Sequence, residues 1–423
     1  MHPHDHSNRR FFVVAVCFAA IVFDGYDLIV YGSTLPALLD YDAWSLSKQQ
    51  AGAIGSYALL GMFFGAILAG TLTDRFGRRR LFMACLIWYS VAMIAVALAP
   101  TPELLGVFRF LAGLGFGGVA PVAIALVVEV ARPQERNLLN ALMLCGLPVG
   151  GVIAAVFALT WGDDLGFRGL WALGASALVL VVPVAWRVIP ETTHAATAAT
   201  AEGNHRGALR ELVGSRRAAL TLCLFAAANF AGFLLVFGLN TWLPELMRTA
   251  GYSVGSALTF QVLLNAGAIV GGLAGAALAD RFGNRTVAAG YFVVASVAIA
   301  GMAMTPSTTV MYFVVVLAGA GSIGTQIVLF GYVATHYPIQ VRASALGITT
   351  GVGRLGAVTG PLAGGVLLGA GATFGGIAVA FGVVALIGGI ACLTVPRAAT
   401  MGASPTEDRA TPAQGGSVVT RSR

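Results

Sequence analysis

Four charged residues stand deep inside long apolar stretches of the 423-residue chain: Asp24 and Asp27 in the first stretch, Arg109 in the fourth and Arg354 in the eleventh. A charge at such depth is costly unless it pairs or lines a wet cavity, so each is a candidate for function. Asp24 and Asp27 are three residues apart, which places both carboxylates on one face of a helix. At ~1.5 Å per residue they lie roughly 20 and 24 Å above the inner end near Phe11. Arg109 enters from the opposite end near Glu103 and reaches roughly the same level by the same rise. Two acids set against one arginine leave a carboxylate short of a counter-charge, and such a group can take up and release a proton. Arg354 has no acid within its own stretch; its planar guanidinium suits a bidentate grip on a ligand carboxylate. Either acid can be the proton carrier on these grounds, with Arg109 as its partner.

These residues are positioned by membrane spans. Apolar residues make up 57% of the chain and charged ones 10%, a mean hydropathy of +0.84, which cannot cover a water-facing surface. Twelve apolar segments run approximately over 11–36, 51–72, 81–99, 103–129, 138–161, 169–189, 218–243, 256–279, 286–304, 308–333, 343–369 and 373–395. Each is long enough for a helix to cross a bilayer, and their connections leave no room for a large soluble catalytic domain. The fold class is therefore an all-α membrane protein of twelve transmembrane helices. The excess positive charge, +7, reads as topology rather than nucleic-acid binding. With both termini in the cytoplasm, 20 of the 25 Lys and Arg residues fall on that side, three (Lys48, Arg168 and Arg248) fall outside, and Arg109 and Arg354 lie within spans. That asymmetry predicts a multi-pass protein of the inner membrane with cytoplasmic termini. The five cysteines show no paired spacing, and neither a metal site, a cofactor motif nor a nucleophile–base pair is apparent, so an enzyme is not expected.

The two halves repeat each other. Asp74-Arg75-Phe76-Gly77-Arg78-Arg79-Arg80 follows the second segment, and Asp280-Arg281-Phe282-Gly283-Asn284-Arg285 follows the eighth at an offset of 206; Pro133 with Arg136 returns as Pro338 with Arg342. Leu35-Pro36 near the end of the first segment returns as Leu243-Pro244 in the seventh. Copies separated by six spans keep their orientation, so two parallel bundles should enclose a site near the midplane. The expected organisation is a six-helix bundle over 1–189, a cytoplasmic linker over 190–217, a second six-helix bundle over 218–396 and a disordered tail over 397–423. Aligning Phe18-Ala19-Ala20 with Phe225-Ala226-Ala227 sets Ala231 opposite Asp24 and Leu234 opposite Asp27. The second half lacks the acids, which favours a coupling role over a scaffold role.

The complete Asp-Arg-x-Gly-Arg-Arg-Arg motif, its reduced copy and the six-plus-six layout resemble the major facilitator superfamily, with its two pseudo-symmetric six-helix bundles. Within it, Asp24-Gly25-Tyr26-Asp27 with Tyr31 and Leu35-Pro36, and Gly353-Arg354-Leu355-Gly356 followed by Gly360-Pro361 through Gly365, look like the aromatic acid:proton symporter family. The resemblance implies that the first and fourth helices are neighbours, so that Arg109 can meet the two acids. It also implies a monomeric importer that carries a small aromatic carboxylate, of the benzoate or hydroxybenzoate type, together with a proton by alternating access. Symport of another small organic acid, or drug:proton antiport, is the alternative; Leu147-Pro148-Val149-Gly150-Gly151 matches the antiporter pattern only in part. Substrate-binding candidates are Arg354, Tyr31, Asn229, Asn265 and Gln326, with Gln261 and Ser322 as further polar groups on spans. Asp74, Arg75, Arg78, Glu129 and Arg136, with Asp280, Arg281 and Arg342, cluster at inner helix ends, where carboxylates and guanidiniums can form a cytoplasmic gate that breaks and reforms. His336 is ambiguous: an interfacial histidine could titrate, and a solvated loop residue is the favoured reading.

Overall fold

A computed structural model describes residues 3–132, 135–189, 212–304 and 307–396. Among these the regular structure is helical: α1 (Pro3–Leu39), α2 (Lys48–Phe76), α3 (Arg78–Ala97), α4 (Pro102–Val130), α5 (Arg136–Leu144), α6 (Gly146–Gly174), α7 (Ala177–Leu180), α8 (Val182–Val188), α9 (Arg216–Thr249), α10 (Val254–Phe282), α11 (Asn284–Met302), α12 (Thr308–His336), α13 (Ile339–Gly369) and α14 (Phe374–Thr394). Local chemistry sets the ends. Ser47 and Gln50 form a capping box at α2, Thr101 caps α4 with Pro102 in its first turn, and Ser215, Ser253 and Thr373 cap α9, α10 and α14. These side chains satisfy amides that have no partner inside the helix.

The repeated motif has a structural reason of its own. Gly77, at φ 81°, is the one residue between α2 and α3, and Gly283, at φ 84°, plays the same part between α10 and α11. A reversal that short needs a backbone conformation that a side chain disfavours.

The fifth and sixth spans were expected to be separated near residues 162–168. One apolar stretch, Leu138–Gly174, runs through that region for 37 residues, far more than the ~20 a crossing needs, and the break lies where it was expected. Gly166, at φ 60° and ψ 178°, interrupts it. The arm before Gly166 lies against α1 with Leu147 at Gly25 and Gly151 at Ile29, so it ascends with α1. The arm after it descends: Trp171 bonds Thr34, while Gly174 faces Asp27. The fifth span is thus α5 with the first arm of α6, and the sixth is the second arm with α7 and α8. With α1–α4 and α9–α14 this makes twelve.

Packing follows the repeat: α2 and α3 lie on α4 and α1 on α6 in the first half, as α10 and α11 lie on α12 and α9 on α13 in the second. The halves meet through α1 with α9, α2 with α13, and α6 with α10. Their contact is uneven along the membrane normal. Towards the end away from the chain termini, Gly32 sits against the Asn240 carbonyl and Gly52 against Pro361 and Gly365. Towards the terminal end the same two helices part, and Gly70 on α2 and Gly347 and Gly351 on α13 face open space. The first half therefore leans on the second at one end and leaves a cleft at the other. Residues 190–211 of the expected linker and the whole expected tail lie outside the described residues; Arg216 and Arg217 are already helical.

Candidate functional site

Asp24 and Asp27 are buried to 1% exposure at mid-depth of α1. Oδ1 of Asp24 and both carboxylate oxygens of Asp27 have no hydrogen-bond partner. Asp27 presses on Gly174, where a methyl group would overlap its carboxylate. The space between α1 and the descending arm of α6 is therefore shaped around this acid. Tyr26, between the two acids, is tied by its hydroxyl to the Leu170 carbonyl at 2.8 Å, which fixes that part of α1 against the same arm.

Arg109 does not form the direct ion pair with these acids that the matched depths suggested. Its guanidinium lies 4.2 Å from the centre of the Tyr31 ring, and Nε donates to the Ile54 carbonyl at 3.3 Å. A desolvated guanidinium over an aromatic face is a favourable arrangement. It acts on Asp27 only through space, and the charge of Arg354 acts on Asp24 in the same way. Tyr31 is itself packed away: it is 1% exposed and donates to the Ala51 carbonyl at 2.6 Å. It supports Arg109 from below rather than presenting its ring to a ligand.

Arg354 crosses the boundary between the halves and donates through Nη1 to the Met62 carbonyl of α2 at 3.1 Å. At mid-depth it is a side chain through which second-half charge reaches the first half. Its neighbour Gly353 lies against Asn229 and Phe233 of α9. Asn229 donates Nδ2 to Phe225, and Gln326 of α12 projects into the space that Gly232 of α9 leaves. Asn265 of α10 donates to Asn240 Oδ1 and to the Gln261 carbonyl, both at 3.0 Å, and its oxygen faces Gly151 across the interface. Gln261 donates to the Asn240 carbonyl at 2.8 Å and accepts from Ser33 of α1 at 2.9 Å. Ser322 bonds only within its own helix, to the Gly319 carbonyl at 3.4 Å.

Among the described side chains, those assigned to the inner gate do not join the halves here. Arg78 pairs with Glu129 and reaches the Ala125 carbonyl at 3.4 Å, a contact within the first half. Arg75 lies over Phe76 and Arg281 over Phe282, at 5.5 and 5.3 Å from the ring centres, and Arg342 donates to Tyr337 at 3.4 Å. Asp280 is exposed, and the side chains of Asp74 and Arg136 lie outside the described residues. His336 is not a loop residue: it ends α12, its ring packed among Phe225, Tyr332 and Tyr337.

Sequence reasoning missed the closed end altogether. Glu245 is fully buried, held by Arg248 Nε and Nη2 at 2.8 and 3.2 Å, with Lys48 of the first half at 3.9 Å; Arg248 also reaches Asp40 of the first half at 3.2 Å. The Glu245 to Arg248 spacing, three apart on one helix, was a visible signal. Asn240 and Ser33 also escaped notice, because short polar residues in membrane helices more often bond their own backbone. Among the described residues no cluster of three metal-ligating side chains is found.

A twelve-span chain of two like halves, open at one end, with buried charges at the seam, has the architecture of a carrier. The Major Facilitator Superfamily model matches residues 17–361 and again 255–423. The chain belongs to that superfamily. It is a multi-pass membrane transporter, not an enzyme. It is 39% identical over 370 residues to the gentisate transporter of Corynebacterium glutamicum, covering 86% of this chain and 82% of that one. It is 31% identical to the benzoate transport protein of Acinetobacter baylyi, covering 84% and 83%. Among solved structures, the inward-open xylose transporter XylE of E. coli superposes with a TM-score of 0.74 at 15% identity, covering 93% of this chain and 98% of that one.

Proposed function

We propose that this transporter is a proton-coupled symporter that imports a small aromatic carboxylate of the benzoate or hydroxybenzoate type by alternating access. The observation that carries the reading is the seam at mid-depth. Two buried carboxylates without direct partners lie on the first half, and a guanidinium from the second half reaches across towards them. A carboxylate left unpaired in a low-dielectric interior is costly as an anion, and protonation removes that cost. Asp24 and Asp27, with Arg109 acting on Asp27 through space, are the proton-coupling set. Arg354 receives the substrate carboxylate, Asn229, Asn265 and Gln326 line the second-half wall, and Tyr31 contributes by holding Arg109.

The positive-inside distribution puts the chain termini in the cytoplasm, so the cleft opens inward and the Glu245 cluster seals the outer face. Residues 1–189 and 218–396 then rock as two bundles about the seam, joined by 190–217. Asp74, Arg75, Arg78, Glu129 and Arg136, with Asp280, Arg281 and Arg342, close the inner face in the opposite state. The relatives named for gentisate and benzoate support an aromatic acid as cargo. The transporter works as a monomer in the inner membrane, with the substrate, the proton and the bilayer as its partners.

Counterflow in proteoliposomes tests this. Vesicles preloaded with unlabelled benzoate or hydroxybenzoate should take up labelled acid, and an inward proton gradient should drive net accumulation that an uncoupler abolishes. Exchange of sugars or cationic drugs in place of aromatic acids would refute the reading.

A further inference from the structure

The inner ends of the third and sixth spans are stapled by the same bond in both halves. Arg79, at the start of α3, donates Nη2 to the Trp186 carbonyl of α8 at 2.7 Å, and its guanidinium lies 5.7 Å from the centre of the Trp186 ring. In the second half Arg285 of α11 donates to the Leu393 carbonyl of α14. Because the bond recurs, it serves to build a bundle. The residues beside it do not recur. Arg80 and Arg187 adjoin the staple in the first half, whereas the residues that follow Arg285 and Leu393 are Thr286 and Thr394.

Both extra arginines stand at the foot of an outward-facing apolar stripe. On α3 the exposed positions Arg80, Ala84, Ile87, Val91, Ile94 and Leu98 are alternately four and three apart, which is one face of a helix. Along α7 and α8 the exposed residues include Leu180, Val184 and Arg187, again four and three apart. Both α7 and α8 pack on α3, and the staple holds the inner ends of α3 and α8 together. Two guanidiniums therefore terminate two adjoining surfaces that face lipid in a spanning protein. Trp186, next to Arg187, is 62% exposed at the same level, and tryptophan is a side chain that membranes hold at the headgroup boundary. Among the described residues no carboxylate pairs with Arg80 or Arg187.

We infer that the inner ends of α3 and α8 form a binding site for the headgroup of an anionic phospholipid, held by Arg80 and Arg187. The chemistry fits at two levels. Guanidinium forks grip phosphate oxygens, and basic groups between spans on the cytoplasmic side suit anionic headgroups. The apolar stripes above them take the acyl chains, a contact that a free phosphate cannot make. Topology alone asks for basic residues on this side of the membrane. It does not ask for them at the foot of lipid-facing stripes, beside an exposed tryptophan, where the other half has threonine. The inference is independent of the cargo.

The full-length protein in phosphatidylcholine vesicles reports its neighbouring lipid through Trp186, whose signal is the fluorescence lost in Trp186→Phe. Brominated phosphatidylglycerol should quench that signal at a mole fraction on the order of 10-fold lower than brominated phosphatidylcholine requires. Arg80→Gln combined with Arg187→Gln should bring the ratio close to one. Arg216→Gln combined with Arg217→Gln removes the same charge from the same side, at exposed positions that open α9, and should leave the ratio unchanged. Should the first double variant fail to fold, each of its single changes should lower the ratio in part. A wild-type ratio near one, an equal fall on changing Arg216 and Arg217, or an unchanged ratio in every folded Arg80 or Arg187 variant would overturn the inference. So would loss of the preference in millimolar inorganic phosphate, which would assign the two arginines to a soluble anion instead of a lipid.

Discussion

The cluster at the closed end allows a quantitative prediction, because only part of it can bias the motion between states. Glu245 and Arg248 share α9 at a spacing of three, so their pair persists whichever way the halves tilt. A contact present in both states shifts no equilibrium. The two bonds that cross to the first half, Lys48 to Glu245 and Asp40 to Arg248, exist only when this end is shut. Asp40 is 61% exposed and Arg248 32%, so their pair is worth about 0.2–1 kcal/mol. Lys48 is 38% exposed but its partner is wholly buried, at 3.9 Å, and this bond contributes about 1 kcal/mol after screening. Losing both should raise the population open at this end by roughly 8- to 30-fold. Thr241 lies at the seam beside Gly32 and Gly55 and is 8% exposed, so Thr241→Cys reports opening with little change of shape. With exposed Cys223 replaced by Ser, labelling by an impermeant maleimide from outside should be slow. Lys48→Met should accelerate it about 5-fold, Asp40→Asn less, and the double variant most. High salt should reproduce part of the Asp40→Asn effect. Unchanged labelling in the double variant would mean that backbone packing at Gly32 and Gly52, not charge, holds this end shut.

Four further outcomes follow from the seam and the inner ends. Asp24→Asn or Asp27→Asn should abolish proton-driven accumulation while exchange survives in part; normal accumulation in both would remove the coupling role. Gly174→Ala forces a methyl into the Asp27 carboxylate and should cost accumulation at least tenfold, whereas the same change at open-sided Gly162 should do nothing. Arg354→Lys keeps the charge but loses the planar fork, so substrate affinity should drop about tenfold in binding assays; a normal affinity there, with a selective loss in Arg109→Lys, would exchange the two roles. Asp74→Asn should raise thiol labelling of the inner vestibule in ligand-free protein more than Asp280→Asn does, since the first copy of the motif is the more complete; the reverse order would refute an asymmetric latch.

How much of this was legible beforehand varied with the range of the interaction. Span positions and the repeat depend on composition and spacing, and Gly77 and Gly283 stand where the motif put them. Hydropathy put the boundary between the fifth and sixth spans at 162–168, and the chain reverses there at Gly166, although a reversal at a single glycine leaves only Asp163 and Asp164 as a polar trace. Depth alone brought Arg109 to the level of the acids, yet depth carries no azimuth. The Tyr31 ring and the Ile54 carbonyl intercept the guanidinium before it reaches a carboxylate. The amide network around Asn240 and the Glu245 cluster each depend on residues more than 190 positions apart, Ser33 with Gln261 and Lys48 with Glu245, and no local pattern reports such pairs.

The repeat gives the seam a logic that neither half shows alone. At the offset of 207 that aligns α9 with α1, the copies of Asp24 and Asp27 are Ala231 and Leu234, and the copy of Asn229 is Val22. At 206, which aligns the motif-bearing spans and those after them, Asn265 corresponds to Leu59, Gln326 to Ala120 and Arg109 to Val315. Every polar group assigned here to proton or substrate therefore has an apolar copy. Residues needed to build a six-helix bundle would recur, as Gly77 and Gly283 do; these do not, so the fold does not require them. On the proposed reading the first half keeps the groups that change charge and the second keeps those that recognise a ligand. Arg354 connects the two, bonded to Met62 and within electrostatic reach of Asp24. When the halves rock, that link is stretched, whereas the contacts inside each bundle travel with it. A substrate carboxylate on Arg354 and a proton on the acids both act on this one link, which is how binding on one half can bias motion of the other.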